Sequence, residues 1–236
     1  MDSRKRSFLT SPGSASAYNI HTGESGVATA LALKAREKMY KIFIEKFKPA
    51  ADTKILDVGV TCDYANASSN YFEQYYPFKE QITCVGTEDA AWLEERYPGL
   101  RFVRISPNDK LPFKDKQFDI SLSNAVIEHV GSTCNQKKFV SELLRVSKVV
   151  FVTTPNRWFP IETHTMLPFL HFLPVAWWRK SLAVLGYGYY SLEENLNLLD
   201  KRSLPKLFPA DVSIEVIGVK TLGFISNLVA FKTAMT

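Results

Sequence analysis

Between Lys54 and Thr153 the chain repeats one pattern: short, almost wholly apolar runs separated by stretches of helical periodicity. The runs fall at residues 55–58, 82–85, 102–105, 118–123 and 149–153, and the helical stretches at 65–76, 89–97 and 135–146. Strands that are apolar on both faces must be covered on both faces, which makes the sheet mainly parallel with helices on either side. Right-handed crossovers then bring every strand's C-terminal end to one edge, where α/β sheets bind ligands. A helix over 26–47 precedes the pattern, because Leu31, Met39, Ile42, Phe43 and Phe47 recur near a 3.6 period and Pro49 ends it.

After Pro155 the pattern breaks. Residues 155–190 hold Trp158, Phe159, Phe169, Phe172, Trp177, Trp178, Tyr187, Tyr189 and Tyr190 among several prolines, too long a stretch for a simple connection. It reads as a lid or substrate-binding element, an aromatic helical insertion between the fifth and sixth strands. It either packs as a second small core, forms a pocket for an apolar or sugar-like acceptor, or touches a membrane surface through its tryptophans with Arg179 and Lys180. A helix near 202–208 and strands at 212–219 and 224–232 follow, the last two joined by a short turn at 220–223 that suits a hairpin.

At 236 residues the chain suits one large domain, 21–236, behind a tail over 1–20 rich in Ser, Gly and Ala. The net charge of +5 is spread among interspersed acids and bases, with Arg4, Lys5 and Arg6 as the one basic cluster, so no nucleic-acid partner is expected. The three cysteines, Cys62, Cys84 and Cys134, show no CxxC spacing, and no apolar run follows the basic N-terminal residues. A reduced, cytoplasmic setting is the simplest reading. The longest uncharged apolar stretch, 163–178, contains Pro168 and Pro174 and is shorter than the ~18–20 residues of a spanning helix, leaving peripheral membrane contact as the one membrane reading.

The stretch KILDVGVTCDYANASSN (54–70) is a strand, a loop and the start of a helix, the place where such a fold holds a small ligand. ILDVG (55–59) resembles the opening glycine motif of class I S-adenosylmethionine-dependent methyltransferases. LPF (111–113) followed by FDI (118–120) resembles that family's approach to strand four, SNAVIEHV (123–130) its exit from strand four, and TTPN (153–156) its exit from strand five. The resemblance spans residue 31 to the C-terminus. It implies a Rossmann-like, doubly wound, seven-stranded and mostly parallel sheet with an antiparallel last strand, and S-adenosylmethionine as cofactor.

On that resemblance Asp57, Gly59, Val60 and Thr61 cradle the methionine end of the cofactor. The family's later loop glycines fall at Thr61 and Asp63, and its ribose-binding acid falls at Gly86, with Glu88 and Asp89 just beyond. Those two either reach the ribose or cap the next helix. Asn108 and Asp109 stand where the adenine side is expected, or form an ordinary turn, while Asn124 and Ala125 close the cradle after strand four. Methyl transfer needs donor and acceptor held in line and a base only where the acceptor loses a proton. His129 is the candidate base, with His164 in the insertion as a second substrate-facing histidine or a polar surface residue. Quinone-type O-methyltransferases resemble this stretch and hold a divalent metal with a further acid where Ala125 stands, so no metal is expected. The expected function is O-methylation of a small, lipid-linked or glycan-linked acceptor. The alternative is a binding or regulatory protein that keeps the fold without turnover.

Overall fold

The computed structural model describes residues 26–63 and 68–232. Its architecture follows from the two-faced apolar strands. Along β5 (Ser147–Pro155), Val149 and Phe151 face one side while Val150 and Val152 face the other, and every residue but Lys148 is buried. The other central strands, β1 (Ile55–Val58), β2 (Ile82–Gly86) and β4 (Phe118–Asn124), alternate in the same way. With β3 (Arg101–Arg104), β6 (Glu215–Thr221) and β7 (Phe224–Lys232) they form one seven-stranded sheet ordered β3-β2-β1-β4-β5-β7-β6.

Strands β1 to β5 run parallel, and β7 is antiparallel to both β5 and β6. This is the expected sheet with its reversed last strand. Leu222 and Gly223, both at positive φ, make the two-residue turn between β6 and β7, the geometry that matches strand twist.

One face is covered by α1 (Gly26–Phe47), whose Met39 and Phe43 are buried and whose Phe43 ring meets Phe151 edge-on at 5.4 Å. The other is covered by α4 (Thr133–Val146), through Val140, Leu143 and Leu144. Ser132 caps α4 by accepting the Asn135 amide.

Three expected helices are shorter than the periodicity suggested. The one over 65–76 is only α2 (Tyr71–Tyr75): residues 64–67 lie outside the described set and 68–70 form a turn ending in Asn70 at φ 48. The one over 89–97 is α3 (Trp92–Arg96), because Asp89 bonds its own loop through the Ala91 amide. The one over 202–208 is a 3-10 turn at Leu204–Leu207, with Pro205 inside and Pro209 just after it. Strand β6 starts at Glu215 rather than 212, since the Val212 amide bonds back to Pro209. The expected tail over 1–20 lies outside the described residues.

The insertion contains α5 (Val175–Val184) and α6 (Gly188–Ser191) and packs a small core of its own from Trp178, Leu182, Tyr190, Leu196 and Leu198. No helix among the described residues is long and apolar enough to cross a membrane.

Candidate active site

Pairing of β1 with both β2 and β4 brings their C-terminal ends side by side, with the post-β4 turn over the post-β1 loop. In that loop Gly59 has φ +108, and a Cβ there would stand 2.1 Å from the Val126 side chain. The chain itself therefore demands glycine at this position, before any ligand is considered. The Gly59 and Val60 amides both bond the Val85 carbonyl, at 2.7 and 3.2 Å. The Thr61 amide and carbonyl are taken by the Asn70 carboxamide at 3.0 and 2.9 Å. These amides thus brace the loop from within, and Asn70 takes over the loop-closing work that later glycines were expected to do. Nothing but an Asn just ahead of a helix marked it in the sequence.

Asp57 is buried beside Glu73 of α2. Burial, then the neighbouring Glu73, push the Asp57 carboxyl well above the usual carboxylate range, while Arg36 pulls weakly the other way. The Cys84 thiol donates to one Glu73 oxygen at 3.2 Å, and the other Glu73 oxygen is buried without a hydrogen bond. A buried carboxyl pair under the cradle is a site that a cation would relieve, as the ammonium end of S-adenosylmethionine would. Glu73 was missed in the sequence; an acid on the apolar run YFEQYY was its one signal.

Gly86 cannot carry the expected ribose acid, because a Cβ there would meet the Val60 carbonyl at 2.9 Å. Glu88 stands at the mouth instead and accepts the Cys62 thiol at 3.0 Å. Burial first, and this bond second, push that thiol up to about 11. Asp89 is exposed and accepts the Ala91 amide within the turn ahead of α3, whose N-cap is Ala91, so of the two acids Glu88 faces the loop and Asp89 closes the turn without capping the helix. Asp109 lines a cleft of about 630 Å³ together with Thr87, Arg104 and Ser106, and Asn108 lines a second, of about 310 Å³, with Gly131, Ser132 and Glu194. The two clefts therefore flank one loop.

Ala125, at φ 56, bonds its amide to the Thr153 carbonyl, and Asn124 accepts the Thr153 hydroxyl at 2.5 Å. Beyond them a 3-10 turn (Ile127–His129) carries Glu128 and His129 into contact with the insertion. His129 Nε2 and His164 Nε2 are 3.0 Å apart, so His164 is a buried partner of His129 rather than a surface residue. His164 Nδ1 sits 2.6 Å from the Glu162 carboxylate, and His129 Nδ1 sits 2.8 Å from the Asn195 carbonyl.

Glu162 also accepts the His164 and Thr165 amides and the Thr165 hydroxyl. Burial opposes its ionisation, but the His164 charge and these bonds outweigh it and hold the carboxyl at about 2. Burial would lower His164, yet Glu162 outweighs that and raises it. Burial, then His164, press His129 down to about 4. Glu128 is raised by burial; one of its oxygens accepts the Thr154 hydroxyl at 2.9 Å and the other has no hydrogen bond. Glu162 and Glu128 were not singled out from the sequence as site residues, since neither sits at a recognisable spacing from the histidines.

Residues 56–149 match the family described as the methyltransferase domain. No protein of curated function matches the chain. Among solved structures, a methyltransferase dependent on S-adenosylmethionine from Thermotoga maritima shares 15% identity at a TM-score of 0.53, over 89% of this chain and 92% of that one. One from Aquifex aeolicus shares 13% at 0.50, over 82% and 88%. A protein from Pyrococcus horikoshii shares 15% at 0.54, over 84% and 89%. At these identities the structures speak for the fold. The domain match and the fold together support an enzyme, a methyltransferase that uses S-adenosylmethionine.

Proposed function

We propose that this chain transfers a methyl group from S-adenosylmethionine to a hydroxyl of a small, lipid-linked or glycan-linked acceptor. The observation that supports this reading is the pairing of β1 with β4, since the Asp57–Glu73 carboxyl pair belongs to the first strand and the His129–His164 pair follows the second. The cofactor supplies an activated methyl on a sulfonium centre. Asp57, relieved by a cation, and Glu88, at the mouth, are suited to its ammonium and its ribose. Asn108 and Asp109 line the flanking clefts, and Asn124 and Ala125 form the wall toward the acceptor. Gly59, Val60 and Thr61 shape the cradle without offering free amides.

At the acceptor end the histidine cluster deals with the hydroxyl's proton, since the reacting oxygen is a far better nucleophile once that proton is shared or lost. An apolar acceptor is favoured by the outer face of the insertion, where Trp177 is 70% exposed and Val184 80% exposed, near Arg179 and Lys180. The same face suits peripheral contact with a membrane that carries a lipid-linked acceptor.

The test is calorimetry with S-adenosylhomocysteine, followed by transfer of labelled methyl to lipid, glycan and small-molecule extracts. Product binding with label in an alkali-stable methyl ether supports the reading. Absence of product binding sinks it, and binding without transfer to any acceptor favours a protein that keeps the fold without turnover.

A further inference from the structure

We propose that Glu128, His129 and His164 bind one divalent transition-metal ion, of the class that includes zinc, manganese and cobalt. The argument begins with the outer nitrogens. His129 Nδ1 faces the Asn195 carbonyl at 2.8 Å and His164 Nδ1 faces the ionised Glu162 carboxylate at 2.6 Å. Both partners can only accept, so each Nδ1 carries its hydrogen, and each ring in its neutral form presents a bare lone pair at Nε2. Those two lone pairs face each other across 3.0 Å. Such an approach is repulsive unless something positive lies between them.

A shared proton would satisfy the nitrogens alone. It would leave Glu128 as it stands, wholly buried with one carboxylate oxygen lacking any hydrogen bond. That carboxylate stands 4.0 Å from His129 Nε2, and donor atoms of all three residues fall within 4.8 Å of one another. A metal ion uses all three. Two nitrogens bound at about 2.1 Å with a right angle between them are about 3.0 Å apart, and two donors of one such ion can be separated by up to about 4.2 Å. The pair already has this spacing, and a small swing of the Glu128 carboxylate completes it.

The surroundings are those of a metal site. Each imidazole has its second nitrogen held by an oxygen acceptor, which sets the ring's tautomer and orientation. Glu162 is in turn held by the His164 and Thr165 amides and the Thr165 hydroxyl at 3.0, 2.8 and 2.7 Å. Two imidazoles with one carboxylate favour transition ions over magnesium or calcium, and three protein ligands leave coordination positions open. The sequence reading that expected no metal rested on Ala125, where an acid ligand was lacking. The third donor comes instead from His164, in the insertion that follows β5 in the chain.

The ion site stands on this geometry alone. Its role deepens the proposed function: an acceptor hydroxyl at an open position loses its proton more readily on an ion than in water.

The full-length protein is stripped with chelator and titrated with Zn²⁺, Mn²⁺, Co²⁺ and Mg²⁺ by calorimetry, with metal content and the Co²⁺ visible spectrum as further readouts. One Zn²⁺ or Co²⁺ per chain is expected, with Mg²⁺ much weaker. Binding falls more than about 100-fold in His164→Gln and Glu128→Gln, and about 10- to 100-fold in Glu162→Gln, whose residue only positions His164. Circular dichroism and melting of each metal-free variant verify folding, and an ion that raises the melting temperature of the native chain but not of folded His164→Gln supports the site. Absent binding, or binding equal in all variants, overturns it, as does an N–H···N proton shared by the two imidazoles in metal-treated protein. S-adenosylhomocysteine binding to the stripped protein is read separately: its loss counts against the methyltransferase reading and leaves the ion site standing.

Discussion

Replacing Gly59 by alanine tests whether the loop after β1 is shaped by its own packing. The native φ of +108 is open to glycine and costly for any L side chain, a strain of about 1–3 kcal/mol. The added methyl would stand 2.1 Å from one Val126 methyl and 3.0 Å from the other, against a strand end whose amides are tied to Val85. Overpacking of this kind costs a further ~1–3 kcal/mol, for a total of roughly 2–6 kcal/mol. The two parts separate in a double-mutant cycle. Val126→Ala removes both clashing methyls, so Gly59→Ala in that background keeps the backbone strain and loses the clash, giving a favourable coupling of about 1–3 kcal/mol. Urea unfolding of the four proteins measures it. A single-mutant loss under about 1 kcal/mol, or a coupling near zero, would refute the account of this loop.

Asp57→Asn bears on the buried carboxyl pair. Because the native Asp57 carboxyl titrates above its ordinary 3.8, the folded chain binds more protons than the unfolded one between those values, and stability falls as pH rises through that window. Asparagine removes the penalty, so its melting temperature relative to the native chain improves as pH rises above the ordinary carboxylate range, while affinity for S-adenosylhomocysteine drops by about tenfold or more; a relative melting temperature that worsens with pH contradicts this. Trp178→Ala empties the insertion's core at a site 1% exposed and costs about 3–5 kcal/mol, seen as early proteolysis within 155–190. Trp177→Ala, on the open face, changes stability by less than about 0.5 kcal/mol but reduces co-sedimentation with anionic vesicles if the membrane-contact reading holds. Towards a thiol reagent near pH 8, exposed Cys134 reacts first, buried Cys84 last, and Cys62, pushed up to about 11, slowly.

The sheet was legible because its central strands are apolar on both faces, a pattern that a surface strand cannot show; β7 matches its expected limits to the residue, and α1 its expected end at Phe47. What failed was set by side chains bonding backbone. Asn70 leaves the helical region to hold both polar groups of Thr61, and Asp89 takes the Ala91 amide, so two helices start late at positions where periodicity alone runs on. A side chain at position 86 is excluded for a steric reason invisible in the chain, the Val60 carbonyl lying against Gly86. His129 was legible from its place after β4. Its pairing with His164, Glu162 and Glu128 was not, because it depends on a fold of the insertion that no spacing encodes.

That pairing alters what the insertion does. A lid that opens and closes needs few bonds to what lies beneath it, yet the segment after α6 is tied to the post-β4 turn at every step. The Asn197 amide donates to the Glu128 carbonyl at 2.7 Å, its carboxamide to the Gly131 carbonyl, and Gln136 of α4 bridges the Ile127 and Asn197 carbonyls. His129 reaches the Asn195 carbonyl and His164 reaches His129. With all of these bonds buried or half-buried, breaking the contact would strand several polar groups at about 1–3 kcal/mol each. The insertion is thus fixed to the post-β4 turn, and on the proposed function it is a wall of the acceptor end, with residues 162–165 and 195–197 belonging to the site. Substitutions there should change which acceptor is taken while leaving S-adenosylhomocysteine affinity, set at β1 and β2, within about threefold, less than the tenfold that 1.4 kcal/mol would produce. A parallel loss of both would mean that cofactor and acceptor ends are not separate.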